Sequence, residues 1–242
     1  MINMNIEPVG DKAIMVIFGN QVSEEINGQV TSFTGVILDS GREGIIDVIP
    51  TFTSVLINYD PLVLPFTELA EFCRACVSGM KEGVKRPRRI FEIPVLYGGQ
   101  AGEDLPYVAK RAGMTEEEVI RVHSGVDYLI YMLGFMPGFV YLGGMDPRIV
   151  TPRLKRPRLA IPKGSVGIGG EATGIYPTIS PGGWQLIGNT PVEVYDPKRE
   201  PAILYEAGDR IRFVPVEEAE YQRIKALVQA GSYAVHVIME EE

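Results

Sequence analysis

The chain has 242 residues, 45% of them hydrophobic and 22% charged, with a formal net charge of -8. Such a composition can bury real cores and is far from a disordered one, and its acidic balance argues against nucleic acid or anionic lipid as partners. Length predicts two domains; with no stretch near the ~18 apolar residues of a membrane span, and no basic-then-apolar leader in MINMNIEPVGDK, a cytoplasmic, soluble protein is expected.

In chain order, AIMVIFG reads as a strand and SEEINGQVTSFTGVILDS as a helix with Ser23 as N-cap. GIIDVIP and TSVLINYD read as strands, and FTELAEFCRACVSGMKEG as a helix that Thr67 could cap. With RIFEIPVLY as a last strand, the order βαββαβ predicts a ferredoxin-like sandwich over 1–88, although that strand could belong to either domain. The only cysteines, Cys73 and Cys76, fall inside the second helix rather than at a helix N-terminus after a strand, so they are expected to be reduced packing residues. VKRPRR, residues 84–89, reads as a basic linker, with an anion patch as the alternative.

The second domain, 89–242, opens with two short helices, GEDLPYVAKRAG and MTEEEVIRVHSG, the latter begun by a capping box from Thr115 to Glu118. Beyond Gly125 the pattern changes to short apolar runs between Gly and Pro turns: DYLIYMLGF, RLAIPKGSV, WQLIG, PVEVYD and AILYEAGDRIRFVPV. These predict an all-β barrel or sandwich, followed by a last helix, EEAEYQRIKALVQAG. The class is therefore α+β.

Several motifs are excluded. GIGGEA mimics a dinucleotide fingerprint, but Pro177 and Pro181 follow where that motif needs a helix. No GxxxxGKS or GxxxxGKT phosphate loop and no GxSxG nucleophile elbow occurs. Two histidines 113 residues apart, with no Cys and His cluster, give no metal site.

Three stretches remain. SVGIGGEATGIYPTISPGGWQLIG, residues 165–188, holds seven glycines and the one tryptophan, Trp184, and reads as bare backbone around a hollow for a small anion. TPRLKRPRLAIPKGS carries Arg153, Lys155, Arg156, Arg158 and Lys163, with Arg148 just upstream, which suits a carboxylate or phosphate; pairing with acids is the alternative. MLGFMPGFVYLGG, 132–144, is expected to be an exposed apolar strip. Phe135, Phe139, Tyr141, Tyr176 and Trp184 are either barrel core or ligand walls, and their places beside Pro137, Gly138 and other turn residues favour walls. His123 closes its helix, where it reads as a C-terminal cap or as a proton carrier at a cleft mouth. Ser165, Thr173 and Ser180 could donate to a carbonyl or oxyanion, helped by N–H groups about Gly167, but none has an adjacent base.

FMPGFVYLGGMDPRIVTPRLKRPRLAIPKGSVGIGG followed by TGIYPTISPGGWQLIGNTPVEVYDP closely resembles the family of bacterial 5-oxoprolinase B subunits. That family takes in the kinase inhibitor KipI and the first part of the urea carboxylase carboxyltransferase region, also called allophanate hydrolase subunit 1. The resemblance implies a ferredoxin-like domain and a cyclophilin-like β-barrel. It also implies work with a homologous C subunit and an A subunit, in hydrolysing 5-oxoproline to glutamate with ATP; ATP is held by the complex, and no metal is indicated. On this basis His123, Arg153 and Ser165 are the candidate catalytic residues. Phe135, Pro137, Gly138, Tyr141, Arg156, Arg158, Lys163, Gly167, Thr173, Tyr176, Ser180 and Trp184 would bind substrate. The chain departs from the family at Ala172, usually glutamine, and at Lys163 in the usual PAGSVG. The alternatives are an inhibitor that binds a sensor histidine kinase, and a urea-directed carboxyltransferase.

Overall fold

The computed structural model describes residues 4–80 and 89–239. The chain divides into two compact units, 1–86 and 87–242. Of the basic run 84–89, only Arg89 lies within the described residues.

The first unit contains β1 (Asn5–Val9), β2 (Ala13–Ile17), α1 (Glu24–Asp39), β3 (Ile45–Pro50), β4 (Ser54–Tyr59) and α2 (Phe66–Gly79). Its sheet is antiparallel throughout, in the order β1-β2-β4-β3. The Ser23 hydroxyl caps α1 by accepting from the Ile26 N–H at 3.2 Å. Spacings of three and four residues put Val30, Phe33 and Ile37 on one face of that helix, packed with Ile14, Val16, Val55 and Ile57 of the sheet. Each such buried side chain contributes about 1.5–3 kcal/mol relative to exposure.

Two expectations change here. The element order is ββαββα, because 89–97 lies in the second unit. The edge beside β2 is filled instead by β1, a strand too polar and too exposed to show apolar alternation. Thr67 is not a cap: α2 begins after Pro65, with no side-chain capping bond. Cys73 and Cys76 are free, and burial pushes the Cys73 thiol up to about 12, so it packs as a protonated thiol.

The second unit runs β5 (Arg89–Tyr97), α3 (Leu105–Ala112), α4 (Glu116–Ser124), β6 (Asp127–Leu133), β7 (Val140–Gly143), a 3-10 turn (Pro147–Ile149) and β8 (Arg158–Ile161). It continues with β9 (Ser165–Gly169), β10 (Ala172–Ile175), β11 (Ser180–Gly182), β12 (Gln185–Asn189), β13 (Arg210–Pro215), α5 (Glu218–Gln229) and β14 (His236–Met239). Among the described residues seven strands close a barrel, in the order β12-β9-β10-β7-β6-β13-β5 and back to β12 through Gly188 opposite Tyr97. Only β13 and β5 are parallel neighbours. The first half of β5 also carries β14 on its free edge, and its last two residues take β12. PVEVYD, expected as a strand, makes only an isolated bridge between Tyr195 and Ile203. α4 opens with the expected capping box: Thr115 Oγ1 accepts from Glu118 N–H, and the Glu118 carboxylate accepts from Thr115 N–H at 2.9 Å.

Strand alternation divides each wall strand into two faces. Val166 and Ile168 of β9, Ile175 of β10, Ile187 of β12 and Val140 and Leu142 of β7 fill the interior with Tyr128, Ile130, Ile211 and Phe213. A barrel this narrow has room for those side chains and nothing more. The intervening residues face outward, and on one side they meet a separate cluster of Phe139, Ile161, Tyr176, Trp184 and Leu186. That cluster shares Ile161 with the ribbon β8–β11, a two-stranded sheet separate from the barrel.

Candidate functional site

The alternation sorts the sequence-derived site residues into two groups. His123 and Thr173 belong with the barrel interior. His123 is fully buried, stacked on Phe213 with ring centroids 4.7 Å apart. Its Nε2 lies 2.8 Å from Thr173 Oγ1, and that hydroxyl donates its own hydrogen to the Gly167 carbonyl. Thr173 can therefore only accept from the ring, so Nε2 carries the proton and Nδ1 accepts from the Tyr97 hydroxyl at 2.8 Å. The Tyr128 hydroxyl donates to the His123 carbonyl. Burial pulls the imidazole down to about 3, which keeps it neutral, and pushes the Tyr97 phenol well up. His123 is thus neither a charged helix cap nor a proton carrier at a cleft mouth; it is the centre of a buried hydrogen-bond chain.

Ser165 is 2% exposed at the start of β9, and its carbonyl accepts from Tyr176 N–H. No base hydrogen-bonds its hydroxyl among the described residues, so it has no means of activation as a nucleophile.

The second group lies outside the barrel wall. Phe139 is the hub: Phe135, Tyr141, Tyr176 and Trp184 all meet it edge to face, with centroids 5.3–5.4 Å apart. Tyr176 and Trp184 are almost fully buried, Tyr141 is half-buried and Phe135 is exposed. The glycines of the ribbon make this packing possible. A β-carbon on Gly169 would overlap the indole of Trp184; one on Gly174 would lie 3.2 Å from that ring, and one on Gly167 3.3 Å from the tryptophan Cβ. On Gly182 it would lie 2.5 Å from the Tyr176 hydroxyl. The expected hollow is therefore filled by the chain's own aromatics. Gly138, at φ +80, turns the chain after exposed Pro137, where a side chain would strike Tyr195 and Pro177.

The basic run divides in a similar way. Arg148 pairs with Asp146 at 2.6 Å and Lys163 with Glu193 at 2.6 Å, both at the surface. Arg158 is held by Asp104, by Glu103 at 2.9 Å and by the Trp184 carbonyl at 3.2 Å. Asp104 also accepts from Leu186 N–H, so it ties the α3 entrance to the aromatic cluster; nothing in the sequence around Asp104 marks this role. Arg153 behaves differently: its guanidinium lies over the Trp184 ring, 5.8 Å from the centroid. Lys155 and Arg156 are exposed and have no ion-pair partner among the described residues.

The Tyr176 hydroxyl sits within this group. Burial raises its pKa, while the backbone N–H of Trp184 and the charges of Arg153 and Arg158 oppose that rise. Ser180, 8% exposed, has a buried hydroxyl without a hydrogen-bond partner among the described residues. The arrangement offers a cation over an indole, an adjacent phenol and an unpaired hydroxyl, all suited to holding an anion or amide, but no base. Two surface hollows, of about 510 and 330 Å3, lie elsewhere: one along α4 and Arg148, the other between Arg89 and Pro201–Glu206. Ala172 packs half-buried against the aromatic cluster, so the departure there leaves an apolar contact in place of an amide. No group of three or more His, Cys, Asp or Glu side chains among the described residues could hold a metal, and no described helix is long and apolar enough to cross a membrane.

Residues 4–205 match the family model described as the carboxyltransferase domain, subdomain C and D. The chain is 42% identical to the B subunit of 5-oxoprolinase from Bacillus subtilis over 234 residues, covering 93% of this chain and 98% of that protein. The crystal structure of TTHA0988 is similar at 38% identity with a TM-score of 0.76, covering 85% of this chain, which spans 40% of that longer one. The urea amidolyase of Kluyveromyces lactis, at 20% identity and a TM-score of 0.80 over 98% of this chain, shares the fold; this chain spans 16% of it. With the aromatic cluster, barrel and basic run in place, these matches establish that the chain belongs to the family of 5-oxoprolinase B subunits, built on carboxyltransferase subdomains C and D.

Proposed function

We propose that this chain is the B subunit of an ATP-dependent 5-oxoprolinase, which hydrolyses 5-oxo-L-proline to L-glutamate together with an A and a C subunit. The observation that carries this reading is the 42% identity to the 5-oxoprolinase B subunit of Bacillus subtilis across nearly the whole of both chains. In this reading the first unit is a ferredoxin-like sandwich whose fourth strand is replaced by β1, the barrel is cyclophilin-like, and the complex works in the cytoplasm.

The lactam is resonance-stabilised, so water alone attacks it slowly. Transfer of the γ-phosphoryl group of ATP to the lactam oxygen would release ADP and leave an electrophilic carbon. Water then adds there, the C–N bond breaks with protonation of the nitrogen to leave the γ-glutamyl phosphate, and a second water hydrolyses that acyl phosphate to glutamate and inorganic phosphate. Arg153 over Trp184, beside the Tyr176 hydroxyl, would hold the substrate carboxylate or the phosphoryl group. With His123 neutral in the core and Ser165 lacking a base, this chain supplies binding groups, and the water-activating base and the ATP site belong to the partner chains.

The test is reconstitution. This chain, its A and C partners, ATP and 5-oxoproline should give glutamate and ADP in equal amounts, and the chain alone should give none. A complete set that forms no glutamate refutes the reading, and a drop in autophosphorylation of a sensor histidine kinase on adding this chain would replace it with the inhibitor reading.

A further inference from the structure

The largest exposed apolar side chains of the second unit gather beside the aromatic cluster. Leu159 is 93% exposed, Ile179 71% and Phe135 63%. Leu159 and Ile179 belong to the ribbon of β8 and β11: Ser180, next to Ile179, pairs with Ile161, and Gly182 pairs with Arg158. Ser180 and Ile161 are buried, and Leu159, Ile179 and Pro181 are exposed. Phe135 joins this surface because the Thr178 hydroxyl contacts Met136 Sδ at 3.4 Å.

Backbone geometry sets Phe135 apart. It is the one non-glycine residue at positive φ among the described residues, at +65°. Gly134 C=O accepts from Met136 N–H at 2.7 Å, which closes a three-residue γ-turn with Phe135 at its tip. Side chains avoid this conformation, and here the strain presents an aromatic ring to solvent instead of burying it. Arg153, Lys155 and Arg156 border the same ribbon, since Leu154 N–H donates to Gly183 C=O at the end of β11.

We propose that this face, Phe135 with Leu159 and Ile179 and the flanking Arg153, Lys155 and Arg156, is the surface on which this chain takes a separate chain carrying the remaining carboxyltransferase subdomains. The inference rests on the proposed 5-oxoprolinase reading. Three observations select that occupant. The matching family model covers subdomains C and D only. In TTHA0988 a similar segment is 40% of one longer polypeptide, so there this fold is accompanied by a further stretch of chain. The basic border, in a chain of net charge -8, calls for a partner with carboxylates around an apolar centre, which disfavours a second copy contributing the same basic border. Docking would also cover the Arg153 guanidinium where it lies over Trp184.

The experiment co-expresses the full chain with its C-type partner and measures the dissociation constant by calorimetry, with glutamate formation by the complete three-chain set as second readout. The variants are Leu159→Glu, Ile179→Glu and Lys155→Glu, all at exposed positions where the melting temperature should hold. The expected result is at least tenfold weaker binding for each, with activity recovered when the partner is in excess. Wild-type affinity in all three variants, with the wild-type chain assembling and active, overturns the surface and leaves the function standing. Failure of the wild-type chain to bind the C-type partner overturns both. A dimer of this chain alone that Leu159→Glu dissociates, or a histidine kinase bound through the same residues, also overturns the proposal by naming another occupant.

Discussion

The indole of Trp184 occupies the space a side chain at Gly169 would need. Two positions fifteen residues apart are thereby fixed to one another, glycine because tryptophan is there. Gly169→Ala must push the indole away from the barrel wall, an overpacking that costs about 1–3 kcal/mol. The chain has one tryptophan, so its fluorescence reads this site alone. The expected outcome is a lower melting temperature together with a red-shifted emission, as the ring is displaced from a site where it is 4% exposed. Unchanged emission would show that the ribbon has slack.

His123 makes stability depend on pH with a definite sign. Burial holds the folded imidazole down at about 3, against an ordinary value of 6.5. Between those values the unfolded chain binds a proton that the folded chain does not. Stability therefore falls as pH drops below about 6.5, at up to ~1.4 kcal/mol per pH unit, and this residue contributes no slope above that pH. Urea midpoints compared at pH 7.5 and 5 should fall more steeply in the wild type than in His123→Gln, whose amide does not titrate. Equal slopes would mean that the ring is hydrated in solution.

Much of this architecture was legible in the sequence, and what was not has identifiable causes. The caps at Ser23 and Thr115, the helices and most barrel strands follow from local patterns that packing did not override. β1 was missed because an edge strand that is mostly exposed carries no apolar alternation. At the candidate site, turn residues and charge mark the aromatic residues and Arg153 in the sequence, but not how they pack. Seven glycines in 165–188 suggest emptiness, but Gly167, Gly169 and Gly174 are small so that Trp184 can lie against them. His123 and Thr173 lie fifty positions apart and meet across the barrel, a pairing that depends on closure and that no local pattern encodes.

Two threonines that looked alike as caps should behave differently. Thr115→Ala removes the hydroxyl half of a capping box, leaving the backbone N–H of residue 115 to the Glu118 carboxylate, and should cost about 1 kcal/mol. Thr67→Ala touches no capping bond, because Thr67 is exposed inside the first turn of α2, and the gain in helix propensity should leave stability unchanged or slightly raised. Chemical denaturation of both variants checks the contrast; a loss at Thr67 matching that at Thr115 would mean that α2 begins later than Phe66.

Phe135→Gly separates strain from contact. Relief of a positive φ in a side-chain-bearing residue returns about 1–2 kcal/mol. Against that, glycine costs about 0.5–1 kcal/mol in unfolded-state entropy, and the edge-to-face contact with Phe139 is worth about 0.5–1.5 kcal/mol. These terms nearly cancel, so the isolated chain should keep its stability within about 1 kcal/mol. The exposed ring is nevertheless gone, and assembly with the carboxyltransferase partner should weaken by at least tenfold. A variant that assembles normally would show that the γ-turn serves only to connect β6 to β7; one that unfolds would show that the ring supports the aromatic cluster from outside.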